Sequence, residues 1–307
     1  MVKPSSERWV YALLIYTACV WGANVVMLKS MTSYFAIVPL SSLRMWVAFF
    51  CIAAICRIGG QRVVCLGRTQ LGWVAAAAAL MIYAHQLMLS QGLAWSTATN
   101  GALILSLNPV LSVLLGAALF SERLNRARLA GVALGLVGAA VVVLNRSSAD
   151  LRFTGMGDAL LFASMLVYVA AGACIRRVID QLHPMVIGYY MHLIGAVMLT
   201  AHAAFTPSFR EPASWFPSAW AWLLILFSGL FSTAIGSLAW NYGISRLGLG
   251  RTSMFINLLP ISGLLFAVAF LDEDIRASHL IGFVCVLSGT WLAVKPNRPV
   301  PSASAVS

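Results

Sequence analysis

Residues 107–143, LNPVLSVLLGAALFSERLNRARLAGVALGLVGAAVVV, return 151 positions later as residues 258–294, LLPISGLLFAVAFLDEDIRASHLIGFVCVLSGTWLAV. In this register Pro109 falls on Pro260, Glu122 on Glu273, Gly131 on Gly282 and Gly138 on Gly289, with Gly92 on Gly243 just ahead. Over 89–143 the identities number 11 in 55 positions. Apolar composition alone produces leucine and alanine matches; prolines, glycines and a glutamate in register are harder to produce that way. A shift of 145–147 carries the earlier part of each half: Ala12-Leu13-Leu14 onto Ala159-Leu160-Leu161, Trp21 onto Tyr168, Lys29 onto Arg176 and Pro39 onto Pro184. The chain therefore reads as two copies of one unit, 1–145 and 146–296. A tail over 297–307 reads as disordered.

Of the 307 residues, 61% are apolar and 9% charged, against about 45–50% and about 25% in soluble domains. That balance points to an all-α integral membrane protein. The apolar runs fall at 9–28, 38–56, 71–90, 99–120 and 129–145 in the first copy. In the second they fall at 156–175, 184–205, 219–239, 252–271 and 278–294. Ten crossings of about 20 residues each consume most of the chain, which excludes a sizeable extramembrane domain, a soluble enzyme, a DNA-binding module and a secreted disulfide scaffold. Pro39, Pro184 and Pro217 sit near expected helix starts, where a missing N–H costs little. The first run reads as a retained helix: Tyr16 stands where a lipoprotein cleavage site before Cys19 needs a small aliphatic residue, and no other small-residue cleavage pattern follows. The six cysteines form no C-x-x-C pair, so neither zinc nor a disulfide framework is expected. No cofactor is expected either.

The net charge of +11 comes from 20 Lys and Arg against 9 Asp and Glu. In a soluble protein it would suggest nucleic acid; here the basic residues punctuate apolar runs and set orientation. Alternate sides carry 14 and 5 of them, with Arg44 inside a run. Positive residues stay cytoplasmic, which puts both termini there and the protein in the cell membrane as a multi-pass chain. Five crossings per copy is odd, so the second copy should be inverted. Glu122 accordingly lies in an Arg-rich loop, and Glu273 in the acidic Asp272-Glu273-Asp274 turn on the outer side. Inverted-topology repeats characterise secondary transporters, whose two halves exchange conformations.

On Trp21-Gly22 with Lys29, on Arg44, on Asn108-Pro109…Glu122-Arg123…Gly131…Gly138 and on the echo Pro260…Glu273…Gly282…Gly289, the chain resembles the EamA-type members of the drug/metabolite transporter superfamily over essentially its full length. The resemblance implies ten helices and a central substrate cavity built mainly from helices 1, 3, 4, 6, 8 and 9. It also implies alternating-access movement of small metabolites, often amino acids or their relatives and commonly outward. These motifs are architectural and name no substrate. The chain departs from its own symmetry where Trp21-Gly22 meets Tyr168-Val169.

Several residues could do the work, and each has a structural reading beside the functional one. Pro109 and Pro260, inside the fourth and ninth runs, are expected to kink their helices, either as gates or as static shaping. Ser106, Asn108 and Asn257, within a turn of them, either satisfy the freed carbonyls or face the substrate. Arg44 lies about 8 Å past Pro39 at helical rise. It is either a carboxylate anchor, half of a gate with Asp158, or an arginine held at the interface or in a structural ion pair. His85, Gln86, Asn24 and Asn241, with His192, either line the cavity or bond to neighbouring helices, and Tyr168 either stacks on a substrate or belongs to the interfacial belt or to packing. No Asp or Glu falls in the centre of a run, which argues against strong proton coupling unless a histidine supplies it. Gly131-x-x-x-Gly135 and the Gly138/Gly289 pair allow close helix approach, within the bundle or in a weak homodimer. The expected partners are a small-molecule substrate and the lipid bilayer, with no nucleic acid. A membrane-embedded enzyme and a non-transporting receptor or channel are the competing classes; neither a catalytic or metal-binding cluster nor a filter-like loop stands out.

Overall fold

The structure is a computed structural model describing residues 4–105, 107–120, 126–144, 151–207, 218–247, 252, 254–271 and 275–294. Every secondary-structure element among them is helical. In chain order these are α1 (Pro4–Met31), α2 (Ile37–Ile58), α3 (Arg68–Trp95), α4 (Ala98–Leu105), α5 (Asn108–Phe120) and α6 (Arg126–Leu144). There follow α7 (Leu151–Arg176), α8 (Pro184–Ala204), α9 (Ala219–Leu247), a 3-10 turn (Met254–Leu258), α10 (Leu259–Leu271) and α11 (Ala277–Val294). Among the described residues, 6 helices (α1, α2, α3, α7, α8 and α9) are long and apolar enough to cross a membrane. The chain is thus a multi-pass membrane protein.

Two of the apolar runs are broken. The fourth divides into α4 and α5, with a turn at Leu107 before α5, and the ninth into the 3-10 turn and α10. Pro109 and Pro260 are each the second residue of the helix after the break. They start new helices where a missing N–H has no intrahelical partner to lose, rather than kinking continuous ones as the apolar runs alone suggest. Glu122, Arg123 and the 272–274 turn lie outside the described residues, as does the tail.

The third run of each half shares another departure from regular α-helix. Residues Ala78–Ala84 of α3 and Ser228–Ile235 of α9 are π-helical, and a shift of 151 lays the first onto the second. A π turn closes i→i+5 hydrogen bonds, so it pulls nearby carbonyls out of line and leaves them to other donors.

The halves interlock through their first helices. Helix α1 of the first half packs along α9 and α10 of the second, while α7 of the second packs along α3, α4 and α5 of the first. Helix α2 lies against α8 and α6 against α11, so corresponding helices also meet directly. Glycines set these approaches. A Cβ on Gly22 of α1 would strike Ser262 Oγ and come within 2.7 Å of both Gly263 N and Leu259 O at the start of α10. Between α6 and α11, a Cβ on Gly138 would lie 2.9 Å from Gly282 O, and one on Gly289 would lie 2.6 Å from Gly131 O. The glycine motif thus works inside the chain. One apolar core runs through both halves, with Leu28, Leu93, Leu103, Leu161 and Leu259 among its buried members.

Candidate functional site

Five residues past Pro39, α2 turns the Arg44 side chain into the bundle, where it is 1% exposed. Its neighbours on α2 are committed elsewhere: Ser42 Oγ and Trp46 Nε1 both meet Thr200 Oγ1 of α8 at 2.8 Å. Arg44 instead faces α3 and α9. Nε donates to Ser228 Oγ at 2.8 Å, Nη1 to Gln86 Oε1 at 3.2 Å and Nη2 to Thr233 Oγ1 at 3.4 Å. Ser228 and Thr233 belong to the π segment of α9, and Gln86 is two residues past that of α3. Gly229 opens the way, since a Cβ there would lie 2.5 Å from Val47 Cγ1 and 3.2 Å from Arg44 O.

Both hydroxyls turn lone pairs toward the guanidinium because their protons are used elsewhere. Ser228 Oγ donates to Asn24 Oδ1 of α1 at 2.5 Å, and Thr233 Oγ1 donates to Ser228 O at 3.0 Å. Two further carbonyls of this π segment are taken by α1: Trp21 Nε1 donates to Ser232 O at 3.0 Å and Tyr16 Oη to Phe231 O at 3.2 Å. Trp21 also packs on Trp240, ring centroids 5.3 Å apart. Helices α1, α2, α3 and α9 thus converge on one polar centre whose described members, apart from Arg44, are neutral.

A second polar cluster sits where α1 and α3 end. Asp158 of α7 is buried and accepts from Ser96 Oγ and, at 3.4 Å, from Asn100 Nδ2. Lys29 Nζ of α1 donates to Ser96 O at 2.6 Å and Ala94 O at 3.2 Å, closing the carbonyl end of α3 with a cation, as the helix dipole favours. Glycines bring α3 and α7 together here: a Cβ on Gly157 would lie 2.7 Å from Trp95 C and 2.9 Å from Gly92 O.

The sequence-derived candidates therefore separate. Asn24, Arg44 and Gln86 belong to one network. His85 points another way, its Nδ1 donating to Ser164 O of α7 at 2.9 Å and its ring 5.0 Å from that of Tyr168; a carbonyl only accepts, so Nδ1 carries the hydrogen. Asp158 has partners of its own and is not hydrogen-bonded to Arg44. Asn108 Oδ1 accepts from Ser112 Oγ at 3.3 Å within α5. Asn241 is half-buried on α9. His192 Nδ1 bonds Gly188 O at 2.8 Å within its own helix. Ser106 and the Asn257 side chain lie outside the described residues.

Sequence reasoning missed Ser228, Thr233, Ser96 and Asn100, which supply the acceptors and donors around the two buried charges. The one signal for the first pair was the small polar cluster Ser228-Gly229…Ser232-Thr233 inside an apolar run.

Comparison with known proteins follows the same two-part division. The model of the EamA-like transporter family matches residues 8–144 and again 155–295. The chain is 28% identical over 216 residues, 69% of each chain, to the uncharacterized transporter YyaM of Bacillus subtilis. It is 26% identical to the "probable terminal-alkyne amino-acid exporter" of Streptantibioticus cattleyicolor, over 95% of this chain and 94% of that one. A crystal structure of a protein 21% identical superposes with a TM-score of 0.68, covering 92% of this chain and 95% of the other.

Proposed function

We propose, from the premise that the chain belongs to the EamA-like transporter family, that it is a ten-crossing carrier. In this reading it moves amino acids or related small metabolites out of the cell by alternating access. The family and the relatives' names indicate a transporter rather than an enzyme. The repeats 1–145 and 146–296 are inverted relative to each other, both termini are cytoplasmic, and the substrate site lies between the halves.

The observation that carries this reading is the exchange of first helices: α1 packs on the third- and fourth-run helices of the other half, and α7 does the same in return. Two equivalent halves gripping each other this way can swap conformations, opening one face and then the other. The paired π segments and the paired breaks before Pro109 and Pro260 supply matched places where that swap can bend the chain, and the Asp158 cluster supplies an unmatched one where it can release it. The exporter relative supports amino-acid-like cargo and outward direction.

The test is counterflow in proteoliposomes against a panel of amino acids and related metabolites, with and without a pH gradient. Saturable exchange of one class is expected; absence of exchange for every compound counts against the carrier. Labelling of single cysteines placed in the 59–67 loop and at residue 276 should mark opposite faces of intact cells.

A further inference from the structure

We infer that Arg44 is the anion site of the carrier, and that its cargo must present a free carboxylate to be bound. The inference rests on the carrier reading but goes beyond it, to the group that selects the substrate.

Arg44 and Asp158 are the two buried charged side chains among the described residues, and they are not hydrogen-bonded to each other. Every described partner of Arg44 is neutral: two hydroxyls and an amide. Such bonds satisfy donors but leave a whole positive charge in a place closed to bulk water, and a buried charge calls for a counter-charge. A guanidinium has five N–H donors, and the three described acceptors take one each. One N–H on each Nη is left, and paired N–H groups suit a planar carboxylate.

Asn24 points to the same occupant. Its Oδ1 accepts from Ser228, the hydroxyl that accepts from Arg44 Nε, so its amide N–H groups remain as donors on a residue joined to the guanidinium through one hydroxyl. The centre is thus rich in donors, and the acceptors it has are used within the network. That asymmetry suits an anion and repels a cation.

Symmetry separates this charge from the scaffold. The shift that lays Pro39 on Pro184 lays Arg44 on Tyr189, so the same place in the second half is built without a charge. Lys29, by contrast, has Arg176 as its counterpart. The cation at 44 is an addition to one half, at the meeting of α1, α2, α3 and α9.

The test uses the full chain and two readouts: thermal shift in detergent and counterflow in proteoliposomes. The probes are the twenty standard amino acids and their carboxamides, which differ in the negative charge. The expected result is that at least one amino acid stabilises the protein and exchanges while its carboxamide does neither. In R44Q the preference for acid over amide should vanish. In R44K, which keeps the charge but loses the fork, the half-saturating concentration should rise about tenfold or more. Acid and amide handled alike by the wild type, or a preference that survives in R44Q, overturns the Arg44 assignment and leaves the carrier standing. No stabilisation by any amino acid overturns it too. Carboxylate-selective stabilisation lost in both variants, but without counterflow, keeps the assignment and removes the carrier.

Discussion

Gly138 on α6 stands so close to Gly282 on α11 that a Cβ at 138 would lie 2.9 Å from the carbonyl oxygen of 282. The shift of 151 turns this contact into that of Gly289 with Gly131, where the corresponding distance is 2.6 Å. One contact is therefore used twice, as at a two-fold interface. Backbone atoms face the glycine in both, joined at 138 by Cys285 Cβ at 2.7 Å, and neither a backbone atom nor a Cβ can turn aside to accept a methyl group.

Gly138→Ala and Gly289→Ala should each destabilise the chain by about 1–3 kcal/mol, read as a lowered thermal midpoint in detergent. Gly172→Ala is the control. Nothing lies within 4 Å of a Cβ there, and replacing a mid-helix glycine should leave the midpoint unchanged or raise it by up to about 1 kcal/mol in stability. Equal losses at all three positions would falsify close backbone packing as the cause.

The π segment of α9 is held by α1. Trp21→Phe removes the donor to Ser232 O but keeps the ring against Trp240. A cost of about 1 kcal/mol is expected, with faster amide exchange confined to 228–235. Combining it with Tyr16→Phe, which frees Phe231 O, should extend that exchange. Unchanged protection in the double variant would show that the segment keeps its register without α1.

Asp158 organises the junction of α1, α3 and α7. Asp158→Ala leaves Ser96 Oγ and Asn100 Nδ2 without their acceptor, a loss of about 1–3 kcal/mol. The junction should then open more often. In a background without other cysteines, Ser96→Cys should react with a maleimide faster when Asp158 is alanine than when it is aspartate. A rate that does not change would mean the cluster is structural and takes no part in opening.

Much of this was legible in the chain itself. A run of about 20 apolar residues has few alternatives to a helix, so α1, α2, α3, α7, α8 and α9 each lie along one, while the fourth and ninth runs divide. The repeat also showed which glycines matter, because backbone contact tolerates no side chain. What the chain could not show is who faces whom. Gly138 and Gly289 read as a matched pair, yet they meet the members of the other matched pair, Gly138 facing Gly282 and Gly289 facing Gly131. Arg44 and Asp158 read as a possible pair because both are charges at similar depth, but helix rotation gives them separate surroundings. The π segments were invisible because 7 and 8 residues are too few to distinguish their period from that of an α-helix in sequence where nearly every position is apolar. Ser228 and Thr233 became part of a site only because the wider turn aims both at Arg44.

Pro260 tests how much of the bundle's motion lives in its breaks. As the second residue of α10 it gives up no intrahelical hydrogen bond, so Pro260→Ala should change stability by less than about 1 kcal/mol. The restored N–H lets helix continue backward through the 3-10 turn at 254–258, whose tighter turns are less favourable than α-helix. If the break is where the chain bends between states, straightening it should slow counterflow while the thermal midpoint holds, and Pro109→Ala should do the same from the other half. The double variant should then be slower than either, because each half would have lost its own bend. Unaltered exchange rates in the double variant would assign both prolines to shaping alone.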